Sequence, residues 1–156
     1  MDIQTKHFLA YIDEAADKAA IDTDERRIRF VISSGQMDRD REIVEPSAVA
    51  GAIKGFARNP VCLACHQHQL ADGMPPVVGS WDIDSFKQLK SRCEMDLIFA
   101  ATALGETYWQ LYKDKHMRAV SIGFGVLDGR EEVRGGVRCY VITQIELYEI
   151  SCVAVG

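Results

Sequence analysis

Residues 137–153 (VRCYVITQIELYEISCV) form a run without glycine or proline, dense in β-branched and aromatic side chains, and read as a single strand longer than most. A chain with such a strand is built around a sheet. A period of two puts Val137, Cys139, Val141, Thr143, Ile145, Leu147 and Glu149 on one face and Arg138, Gln144 and Glu146 on the other. Glu149 therefore shares the apolar face, where a carboxylate is disfavoured unless something pairs with it, and a histidine imidazole is a fitting partner in a hydrolase site. A bulge between positions 141 and 149 would exchange the faces and make Glu146 the inward carboxylate, so both acids stay open at this point.

The rest of the chain supplies partners for that strand. Arg27 to Ser34 alternates Ile28, Phe30 and Ile32 on one side and reads as a first strand. After the charged loop MDRDRE, Pro46-Ser47 opens a helical pattern with Val49, Ile53 and Phe56 on one face and Ser47 as its expected cap, ended by Asn59-Pro60. Residues 61–66 and 77–83 read as two strands joined by a loop, and 90–99 as another. Leu104, Tyr108, Leu111 and Tyr112 fall at helical spacing, with Glu106 near the start and Lys113, Lys115 and His116 near the end, matching a helix dipole. Residues 120–127 form a strand, followed by an expected loop over 129–136. At the start, Phe8, Ile12, Ala15 and Ala19 suggest a loosely docked helix over 4–20 within the first 25 residues. Strands with interspersed helices and no regular βαβ alternation imply a mostly antiparallel α+β fold.

The 156 residues are 47% hydrophobic and 26% charged, enough for one self-supporting domain over 1–156 and too few for two typical ones. Eighteen Lys and Arg against 23 Asp and Glu give a net charge of −5, the wrong sign for direct nucleic-acid binding. No apolar run is long enough for a membrane span, and the start lacks an export pattern, so the chain reads as cytosolic. With that location, Cys62, Cys65, Cys93, Cys139 and Cys152 are expected as reduced thiols.

Three features could carry chemistry. Cys62-Leu63-Ala64-Cys65-His66 spells a haem-attachment string, and with His68 it offers four zinc ligands within seven residues. Covalent haem attachment belongs to exported proteins, and zinc ligand pairs normally come from two separated segments, so small apolar packing is the plainer role for these cysteines. Ser121 lies among Val120, Ile122 and Phe124, opposite the bulky face, beside glycines that let another backbone approach. Alone, such a serine is a solvated filler. Partners are needed to make it a nucleophile.

Three blocks in order, NPVCLACH, SIGF and ELYEIS, resemble the prohead serine proteases of tailed phages, whose fold is similar to that of the herpesvirus capsid maturation protease. Asn59-Pro60-Val61-x-Leu63-x-x-His66, followed by Val78-Gly79, resembles the family's histidine segment. Ser121-Ile122-Gly123-Phe124 resembles its nucleophile segment, and Glu146-Leu147-x-Glu149-Ile150-Ser151 its acidic strand. With FVISSGQMDRDREIVEPSAV ahead of them, the resemblance covers residues 28–155. It implies a mostly antiparallel, β-barrel-like core with a few surrounding helices, herpesvirus-protease-like.

The resemblance further implies a serine endopeptidase with Ser121 as nucleophile, His66 as base and Glu149 as orienting carboxylate, Glu146 being the alternative third member. Imidazole suits the base because it titrates near neutrality. His68 is the alternative base, on the same side of its strand, but the spacing from Asn59-Pro60 falls on His66. Glu149 is preferred because it precedes Ile150-Ser151, where the herpesvirus enzymes carry their second histidine. Asp38 and Asp40 come next should neither glutamate serve.

No cofactor and no metal is implied. The expected substrates are phage scaffold and major capsid proteins and the protease itself, in the bacterial host cytoplasm inside the assembling prohead. The herpesvirus relatives dimerise, which leaves room for a homo-oligomer. The chain stops where the family usually continues through a Pro-rich segment, so a truncated or processed form is expected. The oxyanion donors are expected from backbone N–H groups near Ser121 or in the 129–136 loop. Two rival readings are an inactive capsid-assembly or scaffold-binding module of the same fold, and a small zinc-binding protein using residues 62–68.

Overall fold

The computed structural model of the protein describes residues 5–11, 21–70 and 72–154. Along the chain these form β1 (Thr5–Tyr11), β2 (Ile21–Asp22), β3 (Arg27–Ser34), β4 (Glu42–Val44), α1 (Pro46–Phe56), β5 (Val61–Leu63) and β6 (Val77–Gln88). There follow β7 (Arg92–Phe99), α2 (Ala103–Lys113), β8 (Ala119–Arg134) and β9 (Val137–Val153). A four-stranded sheet has the order β1-β8-β9-β4, and a five-stranded sheet the order β2-β3-β7-β6-β5. All pairings are antiparallel except β4 with β9. The α+β, mostly antiparallel class therefore holds. Among the described residues the two sheets close into no barrel, which corrects the barrel-like core. Their one ladder link is a parallel bridge between Ala64, just past β5, and Cys152 of β9.

One core joins the sheets. Ile28, Phe30 and Ile32 of β3, Met95 and Leu97 of β7 and Trp81 of β6 share an apolar cluster with Val120, Ile122 and Phe124 of β8 and Ile150 and Cys152 of β9. Trp81 also spans it with a polar contact, its indole N–H donating to the Ile150 carbonyl at 3.0 Å. Burying an indole requires such an acceptor. The Tyr112 hydroxyl, buried on α2, likewise donates to the Ala119 carbonyl at 2.6 Å and pins the helix to the start of β8. The Phe30 ring meets Trp81 and Tyr112 edge-on, with centroids 5.8 and 5.3 Å apart.

Helix α1 buries Ala48, Val49, Ala52, Ile53 and Phe56, the expected face. Its N-cap is Glu45, with no side-chain cap bond, and Pro46 starts the first turn. The expected cap, Ser47, is already helical, because proline at the first position pre-sets the helical φ and donates no N–H that a cap would have to satisfy. Helix α2 is capped by Thr102, whose Oγ1 accepts from the Gly105 N–H at 3.1 Å. Its buried line runs through Gly105, Trp109 and Tyr112, with Leu104, Tyr108 and Leu111 at its margins, so the face is turned slightly from the one the spacing suggests. Gly105 sets that angle: a Cβ there would lie 2.1 Å from the Ala100 carbonyl oxygen and 2.9 Å from that of Val78.

Two other expectations are overturned. The helix expected over 4–20 is a strand at Thr5–Tyr11, paired along β8, while residues 12–20 lie outside the described residues. The edge of β8 beside Ser121, open to another backbone by sequence, is thus occupied by the chain's own β1, with Leu9 in register with Ser121. The loop expected over 129–136 is strand as far as Arg134, closed by Gly135-Gly136 with φ of 57° and 77°. Two residues at positive φ suit a tight hairpin turn. The polar stretch stays extended because its partners do: Arg130 Nε lies 3.1 Å from Glu132, Arg134 Nε 3.3 Å from Glu132, and Arg130 Nη2 3.2 Å from Glu45.

The outer face of the second sheet carries a charge network. Arg29 reaches Glu94 at 2.9 Å and Asp96 at 2.8 Å, Arg27 reaches Asp82 at 2.7 Å, and Arg92 reaches Glu94 at 2.7 Å. Burial alone would raise the Glu94 carboxyl, but the hydrogen bonds from Arg29 and Arg92 outweigh it and hold it below the usual carboxylate range. Among the described residues no helix is long and apolar enough to cross a membrane.

Candidate functional site

The face of Glu149 is decided by a bulge. Gly123 of β8 pairs with Glu149 of β9, whereas Phe124 pairs with Leu147, so Tyr148 is an extra residue that resets the alternation. Leu147 then faces the core with Phe124 and Ile150, and Glu149 takes the opposite face, beside Gly123 and Ser151. The inward acid is the one expected, but unbroken counting assigns it the wrong neighbours. Glu149 is 4% exposed, whereas Glu146 is at an exposed position, with the Tyr148 hydroxyl 3.5 Å from its Oε2. Ile145 and Leu147 are buried, so the bulge does not bring Glu146 inward.

The partner of Glu149 comes from the segment after β5. Cys65 donates its N–H to the Cys152 carbonyl at 2.8 Å, tying this segment to β9. Cys65 and His66 then adopt φ of 51° and 59°, two successive left-handed residues that are not glycine. Such backbone is unfavourable and persists where its surroundings hold it. The turn it makes points His66 back at β9, where Nδ1 hydrogen-bonds to Glu149 Oε1. The imidazole is 19% exposed, so the pair is shielded from water.

Ser121 lies one step along the same face. It pairs across the ladder with Ser151 and stands two residues before Gly123, so Ser121, Gly123, Ser151 and Glu149 share one patch of sheet. Far from being solvated, Ser121 is 2% exposed and Ser151 wholly buried. Gly123 makes room for the carboxylate: a Cβ there would come within 2.8 Å of Glu149 Cγ and 3.0 Å of Oε1. His66 and Glu149 are in direct side-chain contact, and strand register places Ser121 on the same face as Glu149.

The remaining candidates are elsewhere or peripheral. His68 Nε2 lies 3.8 Å from Glu149 Oε2, at the outer limit of an ion pair, and its side chain is 82% exposed. Asp38 Oδ1 accepts the N–H groups of Asp40 and Glu42 at 2.9 and 2.8 Å, making a local turn ahead of β4, and Asp40 is exposed. Cys62 Sγ sits in the core 3.4 Å from Cys152 Sγ, while Cys65 is exposed, 3.8 Å from the Tyr108 hydroxyl. The cysteines of the C-x-x-C-H string thus point into different surroundings, and among the described residues no three His, Cys, Asp or Glu are gathered as metal ligands. Burial and the neighbouring Cys152 push the Cys62 thiol well up, and burial pushes Cys93 to about 12, so both stay protonated and unreactive at neutral pH.

Of the two regions expected to offer oxyanion donors, neither is an open loop. Residues 129–134 are paired strand running away from Ser121 toward the hairpin turn, and the backbone at Ser121 is laddered on both edges, to β1 and to β9. A cleft of about 460 Å³ opens beside the group, walled by Val61, Leu63, Met74, Pro76 and Tyr148, with Glu149 and His68 on its lining.

Ser151 is the residue that sequence reasoning left without a role, although it stands in the ELYEIS block. The signal that finds it is its pairing across the ladder, which one chain read alone does not supply. A serine hydroxyl within reach of an imidazole that a carboxylate orients is the arrangement that makes an oxygen nucleophile at neutral pH.

The model of the caudovirus prohead serine protease family matches residues 27–156. A comparison with curated proteins finds no match. Among solved structures, the capsid assembly protease gp21 of bacteriophage T4 aligns with a TM-score of 0.60, covering 83% of this chain and 82% of that one at 8% sequence identity. At that identity the likeness is one of fold.

Proposed function

Since the chain belongs to the caudovirus prohead serine protease family, we propose that Ser121 is its nucleophile, His66 its general base and Glu149 the carboxylate that orients the base. The protein is a serine endopeptidase of capsid maturation. The observation that carries the residue assignment is the hydrogen bond between His66 Nδ1 and the buried Glu149 carboxylate, on the sheet face that also holds Ser121.

The chemistry follows from that geometry. Glu149 holds the proton on Nδ1, which leaves Nε2 as the basic nitrogen. As Ser121 Oγ attacks the scissile carbonyl carbon, Nε2 takes its proton; the imidazolium, stabilised by Glu149, returns it to the leaving amine when the C–N bond breaks. Water, deprotonated by the same imidazole, hydrolyses the acyl-enzyme and restores Ser121.

The substrates in this reading are scaffold and major capsid polypeptides and the protease itself, met inside the assembling prohead in the host cytoplasm. Likeness of the fold to the herpesvirus capsid protease, and self-association, belong to the same reading.

The test is covalent. A fluorophosphonate probe is expected to add one label per chain, at Ser121, read by intact mass and peptide mapping. A chain that stays unlabelled, or is labelled at another residue, overturns the assignment.

A second expectation concerns Gly123. Gly123→Ala would place a methyl 2.8 Å from Glu149 Cγ, and the flexible carboxylate is what gives way. The expected result is a fall in kcat of roughly 100-fold with the melting temperature shifted by only a few degrees, because a displacement near 1 Å disarms an oriented group without opening the core. Cleavage at the parent rate would mean that the position of Glu149 does not matter.

A further inference from the structure

Ser151 is wholly buried, and its Oγ has no hydrogen-bond partner among the described residues. A hydroxyl taken out of water without a partner costs stability, and alanine would fill the same place without that cost. Such a group calls for a use. Its neighbour points to one: Ser151 is the direct cross-strand partner of Ser121, and side chains so paired stand on one face with Cβ atoms roughly 4.5–5.5 Å apart. At that separation a rotation about χ1 brings the two hydroxyls within hydrogen-bonding reach.

We propose that Ser151 is a positioning residue for the nucleophile, its hydroxyl donating to Ser121 Oγ so that the Ser121 proton is left for His66. The inference rests on Ser121 being the nucleophile. A serine oxygen has one proton and two lone pairs. With one lone pair occupied by the Ser151 O–H, the proton of Ser121 is directed to Nε2 and the second lone pair to the scissile carbonyl. The Tyr112 hydroxyl is committed to the Ala119 carbonyl, and the Glu149 carboxylate, whose Oε1 meets His66 and whose Oε2 is buried without a hydrogen-bond partner among the described residues, can only accept, so neither donates to Ser121.

The experiment uses the full chain with Ser151→Ala, and the matched pair Ser151→Thr and Ser151→Val, which differ by a hydroxyl against a methyl. For Ser151→Ala the expected result is a roughly 10- to 100-fold loss of kcat and of the fluorophosphonate labelling rate, KM little changed, and a melting temperature equal to or above the parent's. Ser151→Thr should keep more activity than Ser151→Val at equal folded fraction.

A structural role predicts the reverse, a lowered melting temperature with labelling at the parent rate, and that result overturns the proposal. So does equal activity of the threonine and valine variants where both fold. Should the larger side chains prevent folding, Ser151→Ala decides alone, since it only removes an oxygen. Failure of the underlying reading is distinguishable, because Ser121→Ala would then still cleave; a silent Ser121→Ala beside a fully active Ser151→Ala defeats the positioning role only.

Discussion

Ser121→Ala is expected to abolish peptide hydrolysis and self-processing in purified protein while leaving the melting temperature within a few degrees of the parent. The substitution removes one oxygen at a position 2% exposed and leaves the Cβ packed as before, so no cavity of consequence opens. The Cys62 thiol does not take over, being buried and held protonated by its surroundings. His66→Ala should be about as damaging, because nucleophile and base act as a unit and the loss of either removes nearly all that the pair supplies. His68→Ala should keep most of the activity, its side chain being 82% exposed and 3.8 Å from the acid. The measurement is cleavage of a capsid or scaffold polypeptide by gel and mass, with thermal unfolding in parallel. Continued cleavage by Ser121→Ala would remove the nucleophile assignment, and a silent His68→Ala beside an active His66→Ala would transfer the base to His68.

The strands around the site were legible because their residues are locally decisive. RIRFVISS alternates cleanly and becomes β3 with its expected bounds, and the run over 137–153 becomes β9. What local pattern could not carry is anything settled by partners. The stretch DGREEVR has the composition of a loop, yet it is strand because the other arm of a hairpin pairs with every residue from Arg130 to Arg134. TKHFLAY opens the stretch over 4–20 in which Phe8, Ile12, Ala15 and Ala19 have helical spacing, yet it is strand because β8 offers it an edge to pair with. The site divides the same way. The candidate acid and base could be nominated from the chain, but the bulge at Tyr148, the left-handed turn at Cys65-His66 and the burial of Ser151 exist only once β8, β9 and the segment after β5 lie together.

The two glutamates of β9 separate most sharply by mutation. Glu149→Gln keeps size and removes charge at a position 4% exposed, so packing is conserved. Its effect falls on His66: a carboxylate oxygen accepts the Nδ1–H, whereas an amide can present its NH2 to Nδ1, and the ring then carries its proton on Nε2, where Ser121 needs a base. The imidazolium formed in the transition state also loses its counter-charge. A fall in kcat of roughly 10³- to 10⁴-fold is expected, with slow residual labelling of Ser121 by the probe, because an orienting group is not itself consumed in the proton transfer. Glu146→Gln should change rate and stability little, since the side chain is exposed and its hydrogen bond from the Tyr148 hydroxyl is long, at 3.5 Å. The discriminating measurement is the pair of kcat values at one pH, with thermal unfolding to show that both variants are folded. A crippled Glu146→Gln beside a normal Glu149→Gln would mean that β9 presents its other face to His66 when the enzyme works. Two normal variants would leave a Ser121–His66 dyad, with Glu149 serving only to hold the strained Cys65-His66 turn in place.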